Sequence, residues 1–407
     1  MKVVFLNPSA QLGGAERVLL DVMASIRSME PSWELHLIAS DAGPLVDRAT
    51  ALGAGSTVLR FPETIARLGD AGVRGAAGDR VGRAALLLRV AMALPSVGAY
   101  LFRLRCTLKR LKPDIVHTNG FKMHFLGILS GRGFPVVWHL HDYVSSRPVM
   151  SRLLKRYRGR CAAVIANSNS VAKDLRETLG EGLEIHPVYN AVDLQVFTPD
   201  GPAIDLDELS GFDPADAGTV RVGLIATLGR WKGQADFLRA ISLLPSDLKI
   251  RGYVIGGAVY QTGGSQYALK DLKDLAERLG VSDRVGFTGF VSQPAQAMRA
   301  LDIVVHASTH AEPFGMVIAE AMACGRATIA SRMGGSAELF TSGEDAIGYR
   351  PGKAEQLSEC INQLARDPEL RSKLGTQGRL TAVRRYDRTR LAKELVPVYL
   401  ACAGRTA

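Results

Sequence analysis

Two glutamates, Glu312 and Glu320, lie eight positions apart on either side of a short apolar segment. The residues between them read PFGMVIA, and the strand pattern DIVVHAS comes just before them. The apolar spacing predicts a helix that begins at Gly315 and ends near Cys324. The first amides of a helix have no acceptor within the helix and favour an anion. The spacing therefore places one carboxylate on each side of a predicted phosphate-binding helix start.

Carboxylates accept hydrogen bonds from hydroxyl groups but repel a phosphate that comes too close. A ligand with hydroxyl groups at both ends and an anion in the middle fits this arrangement, and a nucleotide sugar has that layout. The plain alternative is that Glu312 caps the helix while Glu320 lies on a solvated face. The two acids alone do not separate these interpretations.

Strand patterns alternate with helical patterns along both halves of the chain. In the first half, loops or helical patterns follow the apolar runs KVVFL, LHLI, IVH, VVWHL and AVIA. In the second half the same arrangement follows RVGLI, YVI, VGF, IVV and ATIA. Such alternation predicts parallel sheets joined by helical crossovers, and hence an α/β fold of two Rossmann-like, doubly wound domains.

Residues 197–220 are rich in Pro, Gly and Asp and lack a long apolar period, so they predict a domain boundary. We expect an N-terminal, acceptor-side domain over residues 1–200 and a nucleotide-sugar-binding domain over residues 218–380. The sequence DLDE at residues 205–208 looks like a metal motif, but it lies in this boundary without a preceding strand, so we expect a solvated loop. Ligands of doubly wound sheets bind beyond the carboxyl ends of the strands. The two domains are therefore expected to face each other across a cleft.

The composition is that of a globular protein. The 407 residues are 47% hydrophobic and 22% charged. Five scattered cysteines without a C-x-x-C pair argue against a disulfide framework and a zinc site, and favour a reducing compartment. No apolar run is long enough to span a membrane, and the first residues lack a signal-peptide pattern. We therefore expect a cytoplasmic protein.

Positive charge is concentrated in the first half of the chain. Residues 51–160 carry 19 Lys and Arg against 5 Asp and Glu, whereas the whole chain has a net charge of +10. This excess predicts an anionic partner: phosphates, nucleic acid or an acidic membrane face. Basic amphipathic segments at residues 83–112 and 151–160 favour peripheral binding to the inner face of an anionic membrane. The alternative is a helix whose apolar face packs on the sheet while its arginines lie in solvent.

The segment EPFG…EAMACG, from Glu312 to Gly325, resembles the signature of the retaining glycosyltransferases of family 4, the glycosyl transferases group 1, which have the GT-B fold. Further blocks occur in the order of that family: LGGAERVLLD, VVWHLHD, VIANSNSVAKDL, VYNAVDLQVFTPD, RWKGQADFLRA, VGFTGFV and SRMGGSAELF. The resemblance covers nearly the whole chain. Seven ordered blocks are far more specific than a single glycine motif.

This resemblance implies a reaction. A sugar would pass with retention of configuration from a nucleotide-sugar donor to a glycan or lipid-linked acceptor, in cell-surface polysaccharide or glycolipid synthesis. No metal and no other cofactor would be needed. As in relatives, the last helix, over residues 381–407, would cross back to the N-terminal domain.

The resemblance also implies a role for each matching residue. Glu312 would bind hydroxyl groups of the donor sugar, and Glu320 would bind the ribose. Lys232 would neutralise the charge that builds on the leaving nucleoside diphosphate. His141 would lie near a hydroxyl of the donor sugar. The remaining donor-binding positions would act through backbone amides or through close backbone approach: Gly13, Gly14, Gly289, Phe290, Val291, Phe314, Gly315, Met316 and Val317.

One position departs from the pattern of the family. Many relatives place an arginine five positions before Lys232, where this chain has Thr227. Arg230 could supply the second positive charge, because residues two apart on a strand share a side. A surface arginine without a catalytic role is the other interpretation.

Two other functions fit the sequence less well. A nucleotide-sugar 2-epimerase of the same fold binds the same donor, but it would lack the ordered PFG…EAMA and WKG blocks. A non-catalytic nucleic-acid binder would explain the basic first half of the chain. It would not explain Glu312 and Glu320 at a phosphate-binding helix, and no basic run interleaved with aromatic residues occurs, so we expect no nucleic-acid partner.

Overall fold

The structure is a computed structural model that describes residues 1–62, 80–257 and 265–404, apart from the side chains of residues 80–93. The chain divides into two compact units. Unit 1 consists of residues 1–190 together with 388–407, and unit 2 consists of residues 191–387. The division after Asn190 comes earlier than the expected boundary at residue 200, and the return to unit 1 begins at Arg388 rather than at residue 381.

Among its described residues, unit 1 contains one sheet of seven parallel strands. The strands are β1 (Lys2–Asn7), β2 (Glu34–Ala39), β3 (Gly55–Val58), β4 (Ile115–Asn119), β5 (Val136–Leu140), β6 (Cys161–Ala166) and β7 (Ile185–Pro187). Their order in the sheet is β3-β2-β1-β4-β5-β6-β7. Strands β4 and β5 are buried along their whole length, as expected of parallel strands covered on both faces.

Helices connect and cover these strands. They are α1 (Gly14–Met29), α2 (Pro44–Ala51), α3 (Arg80–Leu111), α4 (Phe121–Ser130), α5 (Pro148–Tyr157), α6 (Asn169–Leu179) and, at the end of the chain, α14 (Arg390–Gly404). Helix α14 packs on α1. The hydroxyl of Ser25 on α1 accepts a hydrogen bond from the Ala392 amide at 2.9 Å and donates one to the Thr389 carbonyl. The end of the chain is therefore part of unit 1.

Unit 2 contains a sheet of six parallel strands among its described residues. The strands are β8 (Val220–Ile225), β9 (Ile250–Ile255), β10 (Val285–Gly289), β11 (Ile303–His306), β12 (Ala327–Ser331) and β13 (Ile347–Tyr349), in the order β10-β9-β8-β11-β12-β13. The helices are α7 (Leu206–Ser210), α8 (Gln234–Ser242), α9 (Leu269–Arg278), α10 (Pro294–Arg299), α11 (Met316–Ala323), α12 (Ala354–Arg366) and α13 (Pro368–Tyr386). The prediction of two Rossmann-like, doubly wound units is confirmed.

The expectation of a solvated loop at residues 205–208 is wrong. Asp205 caps α7 by accepting hydrogen bonds from two backbone amides of its first turn. Asp207 is buried and is bound by Arg221 and Arg251 at 2.9 and 2.7 Å, and by the hydroxyl of Tyr253. Burial alone would raise the pKa of Asp207, but these donors hold it well below its usual range. The DLDE segment is therefore a structural ion-pair site of unit 2.

Both sheets reverse their winding direction between two central strands. In unit 1 this switch point lies between β1 and β4, and in unit 2 it lies between β8 and β11. At such a point the loops leave neighbouring strands in opposite directions and open a crevice at the carboxyl ends. The candidate residues below are described relative to these two switch points.

Candidate donor-sugar site

At the switch point of unit 2, a lysine is paired with a buried glutamate. Lys232 follows β8, Glu312 follows β11, and the Lys232 Nζ lies 2.6 Å from Glu312 Oε1. The Glu312 side chain is 8% exposed and that of Lys232 is 20% exposed. Two residues 80 positions apart in sequence thus form a short ion pair in a poorly hydrated place.

Further donors surround the Glu312 carboxylate. His306, the last residue of β11, places its Nε2 3.2 Å from Oε1, and the Ser308 hydroxyl donates a hydrogen bond to the same oxygen. The backbone carbonyl of Glu312 accepts a hydrogen bond from the Gly335 amide at 2.7 Å. Burial acts to raise the pKa of Glu312, but Lys232 and His306 together hold it well below its usual range. Glu312 is therefore a fixed, ionised hydrogen-bond acceptor.

Lys232 owes its position to a tight turn and a glycine. Residues Arg230–Lys232 form a single 3₁₀ turn, closed by the Lys232 amide on the Gly229 carbonyl at 2.8 Å. Gly233 follows with φ +82°, and a Cβ there would lie 1.9 Å from the carbonyl oxygen of Ala307. Only glycine permits both the left-handed conformation and this approach. The loop after β8 is thereby pressed against the end of β11, which brings Lys232 to Glu312.

Helix α11 begins beside this ion pair. Gly315 has φ +102° and precedes the first turn, which has no side-chain cap. The amides at this helix start, Met316 and Val317 among them, have no acceptor within the helix. The Phe314 side chain is buried and packs edge-on against Tyr386, with ring centroids 6.0 Å apart. A role of Phe314 in binding is thus restricted to its backbone.

Glu320 lies in the second turn of α11 and is partly buried. The first residue of α11 is Met316, so Glu320 lies about one turn after the helix start. The sequence predicts this position within the helix. The two glutamates therefore differ in environment. Glu312 is fixed by an ion pair, whereas Glu320 is only partly covered by its surroundings.

Arg230 contacts an aromatic ring and a carboxylate of unit 2. Its guanidinium is 4.5 Å from the centroid of the Tyr267 ring and 4.0 Å from the Asp271 carboxylate, and its side chain is 52% exposed. Thr227, which occupies the position of the missing arginine, uses its carbonyl to accept a hydrogen bond from the buried Gln234 side chain. Thr227 carries no charge, and the contacts of the Arg230 guanidinium are with Tyr267 and Asp271, so a second positive charge from Arg230 stays a prediction.

Three loops meet on the same edge of the sheet. A Cβ on Gly256, which follows β9, would lie 1.9 Å from the Ala226 carbonyl oxygen after β8. The Gly256 amide donates to the carbonyl of Gly289, at the end of β10, at 2.9 Å. Phe290 is 71% exposed, and Val291 is partly buried. The predicted base-binding loop therefore lies two strands from β8.

The glycines predicted to approach a ligand in unit 1 begin α1. Gly13 has φ −96°, a conformation open to any residue, and its amide donates to Glu16 Oε2 at 3.1 Å. A Cβ on Gly13 would contact that same oxygen at 2.7 Å, whereas Gly14 has open space around it. Glycine at position 13 therefore makes room for the Glu16 cap.

His141 is partly buried just after β5, beside the buried imidazoles of His117 and His139. The rings of His139 and His141 lie 4.1 Å apart, and those of His117 and His139 lie 5.2 Å apart. Both ring nitrogens of His139 and of His141 lack a hydrogen-bond partner among the described residues. Burial lowers the pKa of His141 to about 4, and burial together with His141 lowers that of His117 to about 3. The group is neutral at pH 7.

Two family models together match most of this chain. The model for Glycosyltransferase Family 4 matches residues 12–196, and the model for Glycosyl transferases group 1 matches residues 213–381. This chain belongs to the family 4, group 1 glycosyltransferases. The resemblance noted in the sequence is thereby confirmed.

Two curated relatives and one solved structure illustrate what this chain is similar to. The lipopolysaccharide core biosynthesis glycosyltransferase LpsE of Rhizobium meliloti is 29% identical over 55% of this chain and 60% of its own length. A D-inositol 3-phosphate glycosyltransferase of Xylanimonas cellulosilytica is 30% identical over 60% of this chain and 58% of its own length. The chain thus spans about 60% of the length of these curated relatives. The crystal structure of Anabaena Alr3699/HepE with UDP-glucose has a TM-score of 0.76 and 24% identity, and covers 98% of this chain and 100% of HepE.

Three contact residues of the candidate site were missed by the sequence interpretation: His306, Ser308 and Gly233. His306 and Ser308 belong to the predicted strand end VVHAS, and the polar residues after an apolar run were the available signal. Gly233 belongs to the WKG block, in which the sequence interpretation assigned roles to the basic residues but not to the glycine. No group of three or more His, Cys, Asp or Glu residues that could hold a metal ion is present in residues 1–62, 80–257 and 265–404.

No helix in the described part of the chain has both the length and the apolar character needed to cross a bilayer. In α3 the side chains of Tyr100, Leu104 and Leu108 are buried, so one face of this helix packs on unit 1. The opposite positions Arg103 and Lys109 are exposed. The part of the predicted basic segment before residue 94 lies outside the described side chains.

Proposed function

We propose that this protein is a retaining, metal-independent glycosyltransferase that moves a sugar from a nucleotide-sugar donor to a glycan or lipid-linked acceptor. The observation that supports this most directly is the Lys232–Glu312 ion pair beside the uncapped start of α11, at the switch point of unit 2. A crevice with a fixed cation, a fixed carboxylate and helix amides suits a ligand that carries both phosphates and hydroxyl groups.

The donor diphosphate would bind to the amides at the start of α11 and to the Lys232 ammonium. When the bond between the anomeric carbon and the phosphate oxygen breaks, the electron pair leaves with the nucleoside diphosphate. The new bond forms to the acceptor hydroxyl oxygen on the same face of the sugar, and the proton of that hydroxyl passes to an oxygen of the leaving diphosphate. Lys232 would stabilise the negative charge as it develops, which is commonly a large part of catalysis.

The carboxylates would hold the sugars. Glu312 is ionised and accepts hydrogen bonds, so it suits donor-sugar hydroxyl groups, and Glu320 would bind the ribose. Following the resemblance, His141 is assigned to a donor-sugar hydroxyl, and its neutral imidazole can both donate and accept. The backbone of Gly289, Phe290 and Val291 is assigned to the base.

The distance between strands supports this assignment of the base. Neighbouring strands lie about 4.8 Å apart, and β10 is three strands from β11, which leads into α11, so the end of β10 is about 14 Å from the end of β11. A nucleoside diphosphate extended from the start of α11 has a comparable length. HepE, which shares the fold, binds UDP-glucose, and this supports a nucleotide-sugar donor for the present chain.

The acceptor side is proposed to lie near an anionic membrane on its cytoplasmic face. Helices α3 and α5 both pack on α4, and both expose basic residues: Arg103, Lys109, Arg110, Arg152, Lys155 and Arg156. Phe102 on α3 is 70% exposed among these charges. Exposed aromatic and basic residues together favour the interface of an anionic bilayer. LpsE, a relative, acts in lipopolysaccharide core biosynthesis, and this supports a cell-surface glycan product.

The donor is tested by thermal stabilisation across UDP-, GDP- and ADP-sugars, followed by nucleotide release from the donor that stabilises. We expect release to require an acceptor, to continue with EDTA, and to give a product whose anomeric configuration by NMR matches the donor. An inverted product or a metal requirement would contradict the proposal. A changed donor sugar without acceptor would indicate epimerisation.

Membrane binding is tested by sedimentation with vesicles that contain anionic phospholipid, at low and high salt. We expect binding that salt weakens, because exposed charges are screened. Replacing Lys109 and Arg110 with Gln should reduce it, whereas the matched change Lys173→Gln, at an exposed residue of α6, should not. If both variants bound the vesicles equally well, the exposed basic face of α3 and α5 would not be the membrane-binding surface.

A further inference from the structure

The ring of Trp231 lies beside the lysine of the candidate site. The Lys232 Nζ is 4.1 Å from the centroid of the Trp231 ring and 2.6 Å from Glu312 Oε1. The ammonium therefore has two neighbours, a carboxylate and an aromatic face. Side chains of adjacent residues seldom face one another in regular structure, and here the 3₁₀ turn at Arg230–Lys232 brings them together.

The backbone of Trp231 is hydrogen-bonded to the loop that carries Glu312. Its carbonyl oxygen accepts hydrogen bonds from the amide of Thr309 at 2.8 Å and from the Thr309 hydroxyl at 3.3 Å. Thr309 lies three residues before Glu312. These hydrogen bonds fix the Trp231 ring and the Glu312 carboxylate relative to each other, although the two residues follow different strands.

A glycine makes room for the indole. A Cβ on Gly229 would lie 3.1 Å from Trp231 Nε1 and 3.5 Å from Lys232 Cγ. The contact with Trp231 would be tight, whereas that with Lys232 would be an ordinary van der Waals contact. Gly229 has φ −62°, which any residue adopts, so glycine at this position leaves room for the indole and is not required by the backbone.

We infer that Trp231 is a positioning residue that holds the Lys232 ammonium in place for the leaving diphosphate, an inference that rests on the proposed function. An ammonium over an indole is attracted by the negative face of the ring, more strongly where water is partly excluded. When the donor's sugar occupies Glu312, the ring keeps the ammonium from turning into solvent. The role concerns the charge of the transition state more than the binding of the intact donor.

The test uses three variants of the full-length protein and steady-state kinetics with the donor identified by the panel. Trp231→Leu should lower kcat about tenfold while the donor KM changes less than about twofold. Trp231→Phe keeps an aromatic face and should restore kcat to within about threefold of wild type. Gly229→Ala, which crowds the indole without straining the backbone, should fall between the two.

A matched control lies elsewhere in unit 2. Phe212 has the Arg251 guanidinium 4.8 Å from its ring centroid, near the buried Asp207 and away from Lys232. Phe212→Leu removes a cation–aromatic contact of the same kind and should leave kcat unchanged. An unchanged kcat in Trp231→Leu, an equal loss in Trp231→Phe, or an equal loss in Phe212→Leu would each overturn the inference.

Calorimetric binding of the nucleoside diphosphate of the identified donor provides a readout that does not require sugar transfer. This diphosphate carries the charge that the leaving group acquires, so Trp231→Leu should weaken its binding about tenfold, and Trp231→Phe should not. If wild type transfers sugar and binds this diphosphate but Trp231→Leu binds it equally well, only the role of Trp231 fails. If wild type neither transfers sugar from any donor in the panel nor binds UDP, GDP or ADP, the proposed function fails, and the inference fails with it.

Discussion

Units 1 and 2 have the same order of strands around their switch points, but different groups lie at the ends of the central strands. In unit 1, β1 ends at Asn7 and β4 ends at Asn119, and the Asn119 side chain donates to that of Asn7 at 2.6 Å. The nearby histidines are buried and neutral. In unit 2 the corresponding place holds the charged pair of Lys232 and Glu312.

The same strand order therefore positions different groups in the two units. In unit 1, Glu16 accepts a hydrogen bond from the amide of Gly13, and α4 begins after β4 without a side-chain cap and with Lys122 in its first turn. In unit 2, α11 begins after β11 without a side-chain cap, beside the paired Lys232 and Glu312. The buried ion pair beside the helix start, and not the uncapped helix start alone, is what supports the proposed diphosphate site in unit 2.

The largest expected effect is the loss of turnover when the charged pair is changed. Lys232→Met removes the cation that faces the leaving group, and Glu312→Gln removes the ionised acceptor. Each should lower kcat by about 10²- to 10³-fold, the usual cost of losing one electrostatic group in an active site. Asn119→Ala in unit 1 should cost less than about tenfold, because no charge is removed.

Steady-state nucleotide release measures this comparison, with Lys270→Met as the matched control. Lys270 pairs with Asp274 at 3.1 Å, but its side chain is 84% exposed. Such a pair contributes little, so its loss should leave kcat unchanged. If Asn119→Ala reduced kcat as far as Lys232→Met, the distinction between the two switch points would be wrong.

The second effect concerns stability. Lys232→Met leaves the buried Glu312 without its nearest cation and should lower the free energy of unfolding by about 3 kcal/mol at pH 7. The double variant Lys232→Met/Glu312→Gln leaves no unpaired charge and should recover most of that loss, although it should remain inactive. Recovered stability without recovered turnover would separate a catalytic role of the pair from a structural one.

This loss should depend on pH in a defined direction. The pKa of Glu312 is lowered in the folded protein, so its contribution is complete above the ordinary glutamate pKa of about 4.3 and is lost as the pH falls below that value. The difference between wild type and Lys232→Met should therefore narrow below pH 4. Urea unfolding of both proteins at pH 7 and below pH 4 measures this difference in the free energy of unfolding. A difference that stays the same at both pH values would contradict the low pKa of Glu312.

Much of the fold followed from the sequence, because parallel strands buried on both faces leave continuous apolar runs. The runs at β1, β4, β5, β8 and β11 were placed correctly for this reason. The short strands β3, β7 and β13, of three or four residues, were not identified. Most positions in these three strands are exposed or partly buried. Because such positions do not require apolar residues, the sequences contain no long apolar run that would mark a strand.

The candidate site was predictable in its residues but not in its contacts. Glu312 and Lys232 were identified from their motifs, yet nothing in the sequence shows that residues 80 positions apart form an ion pair. That pairing depends on the approach of Gly233 to Ala307, a contact between loops that follow different strands. The interpretation of residues 205–208 failed for the same reason, since Arg221 and Arg251 reach Asp207 only once the sheet has formed.

A third prediction concerns the neutral histidines of unit 1, which contrast with the charged pair of unit 2. The pKa values of His117 and His141 are lowered to about 3 and about 4, so neither should bind a proton between pH 7.5 and 5.5. The unfolded chain does bind protons at these histidines below about pH 6.5, so stability should fall as the pH drops from 6.5 toward 4. Imidazole signals in NMR spectra, assigned by single His→Gln variants, measure this. A midpoint above pH 5.5 for either residue would show that water reaches the group.

The smallest expected effect concerns the capped helix start. Glu16→Gln weakens the acceptor that holds the Gly13 amide at 3.1 Å and the Asn7 side chain at 3.2 Å. Loss of an N-terminal cap typically costs about 1 kcal/mol, and urea unfolding should show a decrease of about this size. Glu177→Gln, in an exposed pair with Lys173 on α6, should cost only a few tenths of a kcal/mol. If the two changes cost the same, Glu16 does not act as a cap. Glu16 would then not distinguish the start of α1 from the uncapped start of α11, and the contrast between the two units would depend on the Lys232–Glu312 pair alone.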